Sequence, residues 1–177
     1  MSKSKILTLG SVCVAGAVAA TLGLGGTAFA GGPVSTTYNC QDLTLGTTYT
    51  GVTGTLSTSA THKLRFVTSL NMPTAVAANQ LITTAKLDST SGATQFAGQF
   101  NDPIAAGTPS LVGLGALPKT VGSITSGTLT TPLGTGATPT VPSATNWSVQ
   151  INVTAVSGIP NHNIACVLAG SQVSLAY

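Results

Sequence analysis

Trp147-Ser148-Val149-Gln150-Ile151-Asn152-Val153-Thr154 is the stretch that decides the fold. Trp147, Val149, Ile151 and Val153 alternate with Ser148, Gln150, Asn152 and Thr154. A period of two puts the apolar set on one face of a strand and the polar set on the other. On this parity Trp147 reads as a core residue beside Val149 and Ile151. Its alternative use, with Tyr49, is as a stacking platform for a sugar.

The same grammar extends in both directions. Downstream, Ile164–Leu168 and Val173–Tyr177 read as strands separated by a Gly170-Ser171 turn. Upstream, residues 130–145 are rich in Thr and Gly and carry Pro132, Pro139 and Pro142. Proline cannot donate to a ladder, so this stretch is a loop, a crossover or an edge. Leu81, Thr83, Ala85 and Leu87 share one parity, and Val34, Thr36, Tyr38 and Cys40 share another. Leu64, Phe66 and Leu70 oppose Lys63, Arg65 and Ser69 in a strand closed by Pro73. The Thr-rich stretch 47–58 reads as a strand with a bulge or bend at Gly51 and Gly54. Thr74–Asn79 has room for one helical turn, and Ala93–Phe100 and Pro109–Pro118 fit a short helix as well as a strand. The fold class is all-β, an antiparallel β-sandwich of about seven to nine strands, with room for one short helix.

The start of the chain has a different character. Lys3 and Lys5 precede an apolar run from Ile6 to about Leu24, and Ala28-Phe29-Ala30 follows. That is the form of a secretory signal peptide over residues 1–30, cut between Ala30 and Gly31. The remaining 31–177 would be a single β-sandwich domain of 147 residues, with no transmembrane segment in the mature chain. Cys13 lies inside the signal and lacks a lipobox before it. Cys40 and Cys166 remain, and an even pair in an exported protein reads most simply as a disulfide.

Charge narrows the function classes. Only 5% of residues are charged, against about 25% in ordinary domains. Beyond residue 30, Lys63, Arg65, Lys86 and Lys119 face Asp42, Asp88 and Asp102, a net charge of +1. Without a basic stripe there is little to neutralise phosphates, so nucleic acid is not an expected partner. Polarity comes instead from Thr, Ser, Asn, Gln and Gly. Such a surface suits an extracellular or cell-wall setting, with homotypic assembly or cell-wall glycan or protein as partners.

Catalytic signatures are sparse. Hydrolysis needs a nucleophile, a base and an orienting acid, and the two histidines, His62 and His162, are the available bases. His62 sits at a strand start and His162 in Pro160-Asn161-His162-Asn163, so both read as solvent-facing turn residues. Three scattered aspartates and no glutamate give neither a glycosidase pair nor a calcium loop. Gly113-Leu114-Gly115 precedes no phosphate-binding pattern. No catalytic, cofactor-binding or metal residues are assigned. Asn146-Trp147-Ser148 and Asn152-Val153-Thr154 match the N-glycosylation triplet but fall in a predicted strand.

Thr37-Tyr38-Asn39-Cys40, Met72-Pro73 and the run Cys166–Gln172 resemble an actinobacterial family of secreted, immunoglobulin-like domains of unknown function. The resemblance spans most of 31–177, apart from Gly92–Leu117. It implies an immunoglobulin-like sandwich with first and penultimate strands stapled, and it carries no catalytic residues. The functional expectation is a secreted or envelope-associated, non-catalytic protein acting by surface binding or self-association. Two alternatives stand beside it, a secreted hydrolase using His62 or His162 and a small outer-membrane β-barrel.

Overall fold

The computed structural model describes residues 29–99, 101–107, 112–153 and 161–177. The signal stretch up to residue 28, Phe100, Leu111, Thr154 and Pro160 lie outside them. The described chain is all-β, as expected, and no helix occurs in it. Its eleven strands are β1 (Phe29–Asp42), β2 (Thr48–Ser59), β3 (Leu64–Thr68), β4 (Leu81–Ser89), β5 (Gly92–Gln99), β6 (Val112–Leu117), β7 (Lys119–Val121), β8 (Thr128–Thr130), β9 (Val149–Val153), β10 (His162–Leu168) and β11 (Ser174–Ala176). Eleven exceeds the expected seven to nine because short pairings such as β7 and β8, three residues each, carry weak sequence signals. The anticipated helical turn at Thr74–Asn79 does not form. Val76 instead exchanges backbone hydrogen bonds with Ile104.

All strand pairs are antiparallel, and they belong to one connected sheet. The pairing does not divide the strands between two separate sheets. It runs β6-β3-β2-β1-β10-β9-β4-β5-β7. Only Pro118 separates β6 from β7, and its carbonyl accepts the Ala97 N–H of β5. The sheet therefore curls until its two ends are consecutive pieces of chain. A proline suits that corner because it has no N–H to give to a ladder. Off the circuit, β8 pairs with the end of β4 at Asp88 and Ser89, and β11 pairs with β8.

The interior follows the sequence parity. Leu81, Thr83, Ala85 and Leu87 of β4 are buried, as are Val149, Ile151 and Val153 of β9. Thr36, Tyr38, Cys40 and Asp42 of β1 face the same side. Tyr38 meets Phe66 edge-on with ring centroids 6.0 Å apart. Gly54 lies against both rings, where an added Cβ would come within 2.5 Å of Tyr38 and 2.7 Å of Phe66. Gly51 takes φ 66°, and the register of β1 on β2 shifts between Tyr38 and Cys40, which is the expected bulge. Many outward positions are polar, among them Thr84, Gln95, Gln150, Asn152 and Asn163, but Ile82 of β4 is exposed and Ala165 and Val167 of β10 are buried on that side. A membrane barrel carries an apolar band on that side. No described helix is long and apolar enough to cross a membrane.

Cys40 and Cys166 stand directly opposite each other on β1 and β10, with Cα atoms 4.0 Å apart, and form a disulfide across 126 residues. The first and penultimate strands are thus joined. The Thr/Pro stretch is a loop, as its prolines required, and it is held in a defined path. Asn146 donates through Nδ2 to the carbonyls of Val141 at 2.8 Å and Pro139 at 3.2 Å, while its Oδ1 accepts the Thr135 N–H. Asn39 of β1 donates to the Thr140 carbonyl and so ties the loop across the outer face, opposite Val167.

Candidate functional site

The end of β1 next to the disulfide holds the most constrained ionisable groups. Asp42 is the last residue of β1, and its side chain turns inward because it continues the parity of Tyr38 and Cys40. Its Oδ1 accepts the N–H groups of Thr44 at 2.9 Å and Leu45 at 3.3 Å, closing the turn into β2. His162 opens β10 and shares the inward parity of Ile164 and Cys166. Its Nδ1 lies 2.6 Å from Asp42 Oδ2, and both residues are enclosed at 1% and 0% exposure. Asp42 Oδ1 thus accepts two backbone hydrogens, while Oδ2 shares one hydrogen with Nδ1.

Nε2 is the remaining ring nitrogen. It is buried and has no hydrogen-bond partner among the described residues. A buried polar atom left unpaired costs about 1–3 kcal/mol, so its retention calls for an explanation. An open cavity of about 270 Å³ at this end of β9 and β10 is lined by Thr44, Asn152, Val153, Asn161, His162 and Asn163, although the His162 side chain itself is sealed from solvent. Asn152 and Asn163 are cross-strand partners on β9 and β10, and Gln150 Nε2 donates to Asn163 Oδ1 at 2.8 Å. Hydroxyl and amide groups, rather than charges, dominate the described lining.

This overturns the reading of His162 as a solvent-facing turn residue. The flanking asparagines suggested a turn, but β10 begins at the histidine itself and pairs it with Val153. Its link to Asp42 joins residues 120 positions apart, which no local pattern reveals. His62 is exposed, as expected, in the turn before β3 with φ 56°, and its ring packs on Tyr177 at 4.9 Å. Ser59 accepts the His62 N–H and pairs with Phe29, so His62 marks the opposite end of β1 from Asp42. At about 3.3 Å per residue the two ends of this 14-residue strand are on the order of 40 Å apart. The two histidines do not form one site.

Trp147 is also placed differently from its parity reading. It is half-buried and precedes β9, which starts at Val149. The Ser148 N–H is bonded to the Cys166 carbonyl, and the Ser148 carbonyl to the Lys86 N–H. Lys86 Nζ sits 3.4 Å above the centre of the Trp147 ring. Partial burial pushes the Lys86 ammonium below its ordinary value. Tyr49 is half-buried against the core, and burial, then the Asp42 charge, pushes its phenol up. Asp88 and Asp102 are exposed and apart from Asp42, and no described group of three or more His, Cys, Asp or Glu side chains could hold a metal ion. The Asn146 amide is occupied by loop carbonyls, and Asn152 lies within β9.

No protein-family model, curated protein or solved structure matches this chain.

Proposed function

We propose a secreted or cell-envelope-associated, non-catalytic β-protein that acts through its surface by binding a neutral partner such as cell-wall glycan or protein. The observation that carries the reading is the outer face of β5, β4, β9 and β10. It presents Gln95, Gln99, Thr84, Gln150, Asn152 and Asn163 together with an exposed Ile82, and the only Lys, Arg, Asp or Glu on these four strands are Lys86 and Asp88. Amides and hydroxyls recognise hydroxylated or peptide partners by hydrogen bonding without a charge field. The disulfide agrees with an oxidising compartment. Self-association ranks second, because the curled circuit takes most strands off the sheet edge.

The test is retention of the purified, disulfide-bonded protein on insoluble cell-wall glycan, with sedimentation in parallel. Retention that persists at high salt is expected, since hydrogen-bonded neutral recognition is not screened as ion pairing is. Absence of retention, together with a monomer at millimolar concentration, would overturn the reading. The hydrolase alternative gains one support, the Asp42 carboxylate that orients His162. It lacks a serine, threonine or cysteine bonded to Nε2 among the described residues. Hydrolytic turnover unchanged in both His62→Ala and His162→Gln would remove it.

A further inference from the structure

We infer that the Asp102–Pro103 peptide bond is a self-cleavage site, with the Asp102 carboxyl group as nucleophile and the Asn101 amide as the donor that stabilises the reacting carbonyl. It is a single processing step, and it stands apart from the surface-binding reading. The bond lies in a short exposed span that is fixed on both sides. On one side the Asn101 carbonyl accepts the Asn79 N–H at 2.9 Å. On the other, Ile104 exchanges two backbone hydrogen bonds with Val76, at 2.8 and 2.9 Å. Asp102 and Pro103 between them are exposed. Residues 71–80 and 99–107 meet here, and Asp102 is their only charged or titratable side chain. Its carboxyl group forms no ion pair among the described residues.

Asn101 is only 2% exposed. Its Oδ1 accepts the N–H groups of Gln80 at 2.8 Å and Leu81 at 2.9 Å. Only the oxygen of an amide can accept, so these two bonds fix which way the group points. Nδ2 then donates to the Ala77 carbonyl at 2.9 Å and to the Asp102 carbonyl at 2.8 Å. An enclosed amide held at four points thus keeps one N–H on the carbonyl that precedes the proline. A preorganised donor in that place stabilises the negative charge that builds on the oxygen under attack.

The Asp102 carboxyl group closes a five-membered ring onto its own backbone carbonyl carbon, so the attack is intramolecular. A side-chain oxygen bonds to that carbon, and the C–N bond to Pro103 breaks. The nitrogen takes the carboxyl proton and leaves as a secondary amine. The cyclic anhydride left on residue 102 takes up one water and opens to two carboxyl groups. Mild acid favours the step, because the carboxyl group must bring the proton that the amine carries away. Proline suits the leaving side, since its nitrogen has no hydrogen to commit to a ladder. The pieces stay together after the cut. The pairings of β1 with β10, β4 with β9, β3 with β6 and β5 with β7 all cross it, as does the Cys40–Cys166 disulfide.

The experiment incubates the disulfide-bonded protein in mildly acidic buffer, with circular dichroism to check that the fold persists, and a second sample unfolded by urea in the same buffer. Mass spectrometry should show a gain of one water without reductant. With reductant it should show two chains, one ending at Asp102 and one beginning at Pro103. Removing one such donor typically costs about 10²- to 10³-fold in rate. The folded chain should therefore be cut about a hundredfold faster than the unfolded one. Asn101→Ala should fall to the unfolded rate, and where that variant does not fold, the two wild-type samples decide. Asp102→Ala should stay whole. Equal rates in folded and unfolded wild type, an uncut folded chain, a folded Asn101→Ala that keeps the wild-type rate, or a cut that persists in Asp102→Ala would each overturn the inference.

Discussion

The two ends of β1 each present a histidine and treat it in opposite ways. At the Asp42 end, His162 is enclosed, oriented by a carboxylate and adjacent to the disulfide. At the other end, the exposed His62 stands in a turn with positive φ and packs on the ring of the buried Tyr177. The residue type is the same and the neighbours in sequence are equally polar. What separates them is whether the strand has begun. His162 is the first residue of β10 and inherits its inward parity, while His62 precedes β3 by two positions and inherits nothing. Function is therefore sought at the end where the fold has taken on the cost of enclosing polar groups.

The largest test of this contrast is the disulfide, which lies two residues from Asp42. In the chain-entropy view, closing a loop of this length stabilises by about 5 kcal/mol. Removing it by Cys40→Ala and Cys166→Ala should lower stability by about 2–5 kcal/mol, read from denaturant midpoints with m-values compared. Next comes Asp42→Ala, which strips His162 of its partner and frees two turn N–H groups. Breaking a buried pair on one side costs about 3–5 kcal/mol. His62→Ala, at the far end, should stay within about 0.5 kcal/mol, the ordinary range for surface changes. Equal losses at the two ends would erase the distinction.

Alkaline titration sharpens the contrast further. Burial raises the Tyr38 phenol well above its ordinary value of 10.0. The folded state thus holds that proton when the unfolded chain has released it. Its contribution is fully present below pH 10 and is lost as pH rises beyond that, at up to about 1.4 kcal/mol per pH unit. Tyr38→Phe should flatten this fall, as measured by denaturant midpoints across the alkaline range. The smallest effect separates the two end tyrosines. Burial raises both Tyr49 and Tyr177, but only Tyr49 also feels the Asp42 charge. Asp42→Asn should move the ultraviolet titration of Tyr49 downward and leave that of Tyr177 in place.

Much of the fold was readable from parity. The inward sets of β4 and β9, the shared face of Tyr38 and Cys40, the loop read at 130–145 (only Thr130 of which belongs to a strand, β8) and the bulge near Gly51 all follow from local spacing. The candidate site was not readable, because Asp42 and His162 meet only through the register of β1 on β10. The Pro118 corner was equally hidden, since the proline marked a break without saying which two strands it joined. Threonine blurred the rest. It lines the interior at Thr58 and Thr83 and the outer face at Thr84, so hydropathy alone did not separate the faces. Thr58 is admitted inside because its hydroxyl donates to the Ala176 carbonyl. Trp147 misled for another reason, as the backbone bonds of Ser148 end the regular alternation one residue too early.

The partnership of β1 with β10 also governs the order of assembly. On a ribosome, β1 and β2 can zip together early, yet the other edge of β1 stays bare until the residues around Cys166 arrive. Contacts of such long sequence separation slow folding. Nascent chains that stop short of β10 should therefore remain open and sensitive to protease, with native resistance gained late and in a single step.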